Sequence, residues 1–343
     1  MSVSVLRELA PAKINLGLFV GPKRASDGRH ELVSVMQSIS LADELTLEPA
    51  GAAPGPERRV GGEREQADDR GERDEVLCPG VPGASADNLA ARALRAFRAA
   101  TGWDAPPQRL RIAKRIPLAA GLAGGSADAA AALRLAQRAS GLGDERLLRE
   151  LGGELGADVP AQIAPGRWLA SGAGERLREL LPPRSRLAVL VLALDAELST
   201  AAVYAQADTL ALTRTARALR ERGRALEAAL AHGAPLPPDA ELLHNDLQRA
   251  AASLCPPIAQ ALAQAREAGA QHALVSGSGP TVIGLFADAA GAADGDGALE
   301  RARAAESLLA ERTPPPVCAV SVQAAFARAD DGSVRNNPGG FDD

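Results

Sequence analysis

Three cysteines in 343 residues, at positions 78, 255 and 318, are odd in number and far apart, which excludes a disulfide framework and any thiolate metal spacing. The four histidines (30, 232, 244 and 272) form no H-x-x-x-H or similar cluster, so a transition metal held by the protein alone is not expected. No apolar run approaches the roughly 18–20 residues of a membrane span. Even the run that begins at Leu187 stops at Asp195. The first residues lack the basic-then-apolar plan of a signal peptide. A net charge of −5 with no basic stripe excludes nucleic acid as the main partner. A cytoplasmic protein of a reducing compartment, with no membrane and no nucleic-acid partner, is the expectation. Lysine is scarce too: of 38 basic residues only Lys13, Lys23 and Lys114 are lysines, each a place where a compact point charge can be needed or where a lysine simply persists.

What is present supports two domains with real cores. Residues 6–20 read as a strand, a break at Pro11 and a second strand; 31–40 as extended or a short helix; 43–48 as a strand. Across 49–85 the composition turns to Gly, Pro and mixed charge, a solvated insertion or a charged recognition arm, with a short strand at 75–78. Asp87-Asn88 caps a helix over 89–101, whose Leu89, Ala93, Leu94 and Phe97 share one face. A strand over 109–116 leads to helices over 127–140 and 144–155, and Pro160 discourages helix at Val159. Pro182-Pro183 is the expected boundary, giving domains 1–183 and 184–328 and a disordered tail at 329–343. The second domain reads as α+β, with strands over 187–194, 273–275, 282–286 and 317–324 and helices near 201–206, 216–232 and 256–268.

The stretch Pro117-Leu118-Ala119-Ala120-Gly121-Leu122-Ala123-Gly124-Gly125-Ser126-Ala127 is a glycine-dense turn running into an alanine-rich helix. Its glycines permit positive φ, and the free N–H groups at a helix start attract an anion. The turn has no Gly-Lys-Ser/Thr ending and is no dinucleotide fingerprint. Phosphate is therefore one reading, and an ordinary turn before a helix is the other. Taken singly, Asp158 in Gly156-Ala-Asp-Val-Pro160 reads as a helix cap, a surface carboxylate or a base, and Lys13 as a solvated strand lysine or a partner of that base. A carboxylate and an ammonium beside bound phosphate suit phosphoryl transfer to an alcohol. Neither serine-containing glycine turn completes G-x-S-x-G, which sets a serine hydrolase aside.

Together, Pro11-Ala-Lys13-Ile-Asn15, the 117–128 turn and Ser276-Gly-Ser-Gly-Pro280 resemble the three motifs of the GHMP kinases. Further similarity lies in Asp27-Gly-Arg-His30, Gln37-Ser-Ile-Ser-Leu-Ala-Asp43, Gly156-Ala-Asp158, Ser199-Thr200-Ala-Ala-Val-Tyr204 and Asn245-Asp-Leu. The resemblance implies an α+β fold of two parts, an N-terminal domain like ribosomal protein S5 domain 2 and a ferredoxin-like C-terminal domain. It implies ATP-dependent phosphorylation of the 2-hydroxyl of a diphosphocytidyl-methylerythritol in isoprenoid precursor synthesis, by a monomer or homodimer. On that resemblance Asp158 is the base and Lys13 its orienting partner, with Asn15 in the same pocket. Residues 117–127, Lys114 and Asn88 would meet ATP, and Mg²⁺ would arrive with ATP near Ser126, no metal being held by protein alone. His30 would read the cytosine edge, with Thr200 beside it and Tyr204 stacking on the base; a turn histidine and simple core packing are the plain readings of His30 and Tyr204.

The chain also departs from the family pattern. Arg29 stands where an aromatic is usual, and a guanidinium can stack on a base. Ala123 replaces a glycine, demanding negative φ or strain, and Ala127 replaces a hydroxyl residue. A homoserine- or mevalonate-type kinase would need no cytosine pocket, and a catalytically silent nucleotide-binding relative would need neither Lys13 nor Asp158.

Overall fold

A computed structural model describes residues 5–50, 74–81, 87–288 and 297–328, so most of the charged insertion and the whole tail from 329 lie outside the described residues. Two long strands, β1 (Leu6–Lys23) and β2 (His30–Pro49), form an antiparallel hairpin that spans the molecule. Pro11 does not break β1. It pairs with Ala42 beside a bulge between Pro11 and Lys13, where a missing N–H costs the ladder nothing. The bulge also frees the Lys13 N–H to donate to the Leu122 carbonyl at 3.1 Å, which ties the strand to the glycine turn. Residues 31–40, open between strand and helix in the sequence, are extended within β2 because they pair on both sides.

A short strand β3 (Glu75–Leu77), β4 (Gln108–Ala113), β5 (Arg167–Gly172) and β6 (Arg176–Glu179) complete a six-stranded sheet with the hairpin. Its helical layer is α1 (Leu89–Thr101), α2 (Gly124–Ser140), α3 (Glu145–Leu155) and α4 (Val159–Ile163). Asn88 caps α1 through its Oδ1, which accepts from the Ala90 N–H at 2.9 Å. The alanines of α2 are buried, and their small side chains let the helix lie close on β1 and α1 while Phe97, Leu133 and Leu148 meet Leu45, Leu47 and Leu110. Helix does begin at Val159, against expectation: Pro160 sits in the first turn of α4, where a helix uses no N–H.

The second sheet runs β10 (Val317–Val320), β7 (Leu187–Leu192), β9 (Val282–Ala287), β8 (His272–Val275), all antiparallel. Around it lie α5 (Thr200–Thr209), α6 (Ala216–Leu230), α7 (Gln248–Leu254), α8 (Pro257–Glu267) and α9 (Gly297–Leu308). One apolar cluster joins Ile14, Leu16 and Val35 of the hairpin to Val189, Val191 and Ile283 of this sheet, so the halves share a core. Among the described residues no helix is long and apolar enough to cross a membrane.

Candidate active site

A cavity of about 970 Å³ opens where β1, the 117–126 turn, the start of α5 and the Ser276–Gly279 turn converge. The two glycine turns touch. Gly121 holds φ +73°, and a Cβ there would stand 2.6 Å from the Ser276 carbonyl oxygen and 2.9 Å from that of Gly279. The Ser276 hydroxyl donates to the Gly121 carbonyl at 3.3 Å, and Asn245 Nδ2 donates to the Val275 and Gly277 carbonyls at 2.8 and 2.7 Å. Backbone against backbone at this junction leaves room for no side chain.

Helix α2 starts at Gly124, three residues earlier than its alanine run suggests, so both glycines lie in its first turn. The Ala127 N–H bonds the Ala123 carbonyl at 2.9 Å. The N–H groups of Gly124, Gly125 and Ser126 thus have no carbonyl inside the helix to meet, and all three residues face the cavity. Ala123 occupies the cap position at φ 56° and ψ 34°, the strained outcome that the missing glycine implies. Left-handed backbone at a residue with a Cβ costs about 1–2 kcal/mol. Ala123→Gly is therefore expected to raise stability by up to about 1 kcal/mol, the rest being offset by glycine's unfolded-state entropy; urea unfolding of both proteins checks this.

Lys13 and Asp158 meet. Lys13 is buried, with its Nζ 3.7 Å from Asp158 Oδ2 and donating to Asn15 Oδ1 at 2.9 Å. Asn15 in turn donates to the Ser34 hydroxyl at 2.6 Å, and Ser34 to the Gly17 carbonyl at 2.7 Å, so the ammonium is aimed through a chain of fixed groups. Asp158 stands at the cap position of α4 yet makes no capping hydrogen bond, and about a third of its side chain is open to the cavity.

Lys114 reaches the same turn from beyond β4, its Nζ ion-paired with Asp43 and with Asp128 at 2.7 Å. Asp43 is fully buried and also accepts from the Ile116 N–H at 2.8 Å. Burial opposes the charge on Lys114, but Asp128 and Asp43 hold its pKa above the ordinary value. Burial pushes Asp128 up to about 7, with Lys114 opposing and Asp43 adding to the rise. A carboxyl raised on folding contributes stability that is present below its unfolded value near 4 and is lost as pH climbs through about 7. Asp128→Asn is expected to flatten the fall in stability between pH 4 and pH 7, read by denaturant unfolding across that range.

At the hairpin end, His30 Nδ1 meets the Gly21 carbonyl at 2.8 Å and its ring stacks on Tyr204, centroids 5.4 Å apart. Burial pushes Tyr204 up to about 12, the charge of Asp158 adding and that of Arg29 opposing, so this ring lies within electrostatic reach of both. Thr200 Oγ1 lies 3.0 Å from Ser278 Oγ, joining α5 to the second turn. Lys13, Asn15, His30, Lys114, residues 117–126, Asp158, Thr200 and Tyr204 all line the cavity. Asn88 is spent on capping α1, and Ala127 is buried beneath the turn; neither lines it. Lys23 and Asp208, which had no site role in the sequence, do line it. Asp208 lies one helical turn beyond Tyr204, a spacing that puts both on one face once the helix is recognised.

Among the described residues no group of three or more His, Cys, Asp or Glu side chains could hold a metal ion. The Ser126 hydroxyl, in the first turn of α2 and on the cavity lining, fits a Mg²⁺ ion that would bring most of its ligands as water and phosphate oxygen.

Residues 88–166 match the GHMP kinases N terminal domain and residues 225–303 match GHMP kinases C terminal. With the fold and the paired glycine turns, this defines an ATP-dependent small-molecule kinase of the GHMP class. A protein of Kineococcus radiotolerans named 4-diphosphocytidyl-2-C-methyl-D-erythritol kinase is 41% identical over 277 residues, covering 80% of this chain and 79% of its own. One of the same name from Streptomyces avermitilis is 41% identical over 298 residues, covering 85% and 90%. A crystal structure of 4-(cytidine 5'-diphospho)-2C-methyl-D-erythritol kinase superposes with a TM-score of 0.67 at 29% identity, covering 92% of this chain and all of the other. The chain belongs to the 4-diphosphocytidyl-2-C-methyl-D-erythritol kinases.

Proposed function

We propose that this protein transfers the γ-phosphoryl group of ATP to the 2-hydroxyl of 4-diphosphocytidyl-2-C-methyl-D-erythritol, with Asp158 as general base. The observation that carries the reading is the Lys13–Asp158 pair, 3.7 Å apart, open on one side to a cavity whose other wall is a phosphate-type turn. Asp158 takes the hydroxyl proton as the acceptor oxygen attacks the γ-phosphorus. The bond from that phosphorus to the β-bridging oxygen breaks, and ADP leaves. Lys13 orients the carboxylate and stabilises the oxygen as its charge develops. Asn15 and Ser34 keep Lys13 from swinging away. The Gly124–Ser126 N–H groups and Lys114 meet the phosphates, where Asp43 and Asp128 hold the lysine charged. Mg²⁺ arriving with ATP would be held by phosphate oxygens with the Ser126 hydroxyl beside them, and would supply charge neutralisation on the phosphates. His30 and Tyr204 form the wall for the cytidine end.

The test is an acceptor panel. Purified protein with ATP and Mg²⁺ should release ADP with the diphosphocytidyl-methylerythritol and stay at background with homoserine and mevalonate. ADP release only with one of the other two alcohols would replace this reading.

A further inference from the structure

We infer that Gln162 is a positioning residue that sets the Lys13–Asp158 separation, by clamping the short helix that carries Asp158 to both strands beside Lys13. The inference rests on the reading of that pair as base and partner, and names the group that holds the two in register.

Asp158 does not anchor itself. It makes no capping hydrogen bond to α4, and its ion-pair contact is to Lys13 at 3.7 Å. Its position is therefore that of the α4 backbone. A helix of five residues has little rigidity of its own, so tertiary contacts must fix it. Val159 and Ile163 pack into the apolar core of the helical layer. Apolar burial is non-directional: it holds α4 down without fixing how far it slides along β1.

Gln162 supplies the direction. It lies one helical turn after Asp158, on the same face of α4, and its side chain is buried. Its Nε2 donates to the Pro11 carbonyl at 3.0 Å, and its Oε1 accepts from the Ser38 hydroxyl at 3.4 Å. The amide orientation is forced, since a carbonyl only accepts. The Ser38 hydroxyl also accepts from the Gly166 N–H at 3.1 Å, which leaves its one proton for Gln162. These contacts bracket Lys13. Pro11 stands just before it on β1, and Ser38 is its partner across the ladder on β2. The register of the hairpin shifts in this interval, from Pro11 opposite Ala42 to Lys13 opposite Ser38. One buried amide thus spans the irregularity on which Lys13 sits. The main chain of the same residue is gripped as well. Arg134 Nη1 donates to the Gln162 carbonyl at 2.7 Å, while Nη2 donates to the Leu9 carbonyl at 2.9 Å. An apolar side chain of equal length would strip the Pro11 carbonyl and the Ser38 hydroxyl of these partners and loosen α4 against β1.

The test is a double-variant cycle on kcat. Gln162→Met keeps the length of the side chain and removes both hydrogen bonds. It should lower kcat roughly 10- to 100-fold, the cost of about 1 Å of misplacement, while KM for ATP and for the acceptor stays within about threefold. In an Asp158→Ala background the same substitution should change the residual rate by no more than about twofold, because the pair it positions is already broken. Ser38→Ala removes one of the two contacts and should lower kcat about threefold or more, again only where Asp158 is present. It carries the same test if Gln162→Met fails to fold. A loss of the same size with and without Asp158, or a native kcat, would make Gln162 a packing residue and overturn the inference. A native kcat for Asp158→Ala would remove the base, and the clamp with it. If the native protein phosphorylates no acceptor alcohol, the proposed function falls, and a crystal structure of the folded variant still decides. A Lys13–Asp158 gap wider than the native 3.7 Å by about 1 Å supports the clamp, and an unchanged gap overturns it.

Discussion

Asp158→Ala is expected to lower kcat by roughly a thousandfold while ATP affinity stays within a few-fold of the native value. The size follows from what the side chain does and does not do. It makes no capping hydrogen bond to α4, and among the described residues its ion-pair partner is Lys13 at 3.7 Å, so truncating it removes little that holds the fold. It does remove the cavity carboxylate that stands beside that ammonium. General-base assistance contributes about 100- to 10,000-fold, and Lys13, still held by Asn15, then has no carboxylate to orient. Single-turnover quench kinetics, with calorimetry for an ATP analogue, separate the two effects. A kcat near that of the native protein would remove Asp158 from the mechanism. Lys13→Ala should cost a similar factor, and the double variant little more than either alone, because the two groups act on one proton.

Gly121→Ala should abolish most activity and cost stability of roughly 2–4 kcal/mol. Two penalties coincide at this residue. Its φ of +73° is left-handed backbone, and the added Cβ would lie 2.6 and 2.9 Å from two carbonyl oxygens of the facing turn. No rotamer change relieves a clash between a Cβ and main chain, so the turns must part. A displacement of about 1 Å among positioned groups is enough for a 100-fold loss of rate. Gly141→Ala is the control, since Gly141 has a similar φ of +70° with no atom near its added Cβ. That variant should lose about 1 kcal/mol from strain alone and keep its activity. Equal losses for the two would mean that contact between the turns does not matter. Thermal unfolding alongside steady-state rates distinguishes these results.

The particular residues show what a sequence carries and where it stops. The helix over 89–101 was legible to the residue because Asn88 marks its start and Leu94 and Phe97 its buried face. The glycine turn and the Lys13 and Asp158 motifs were legible through their resemblance to a family. Their meeting was not, because it depends on a bulge at Pro11 and on a proline inside the first turn of α4. Both prolines read locally as breaks; tertiary pairing overrode the first, and the lack of N–H demand in a first helical turn tolerated the second. Strands β5 and β6 and helix α9 went unassigned, since polar and small residues blur their periodicity. Asp208 and Lys23 had no site role in the sequence, because their place on the cavity depends on the hairpin end and α5 coming together around His30.

The most direct measurement of the central claim is the position of the new phosphate. Protein, ATP-Mg²⁺ and 4-diphosphocytidyl-2-C-methyl-D-erythritol enriched in ¹³C at C2 would be followed by ³¹P and ¹³C NMR. A phosphomonoester resonance coupled to C2, appearing with ADP and absent for Asp158→Ala, is the predicted result. A phosphate on any other carbon, or product formed equally well without Asp158, would contradict the account.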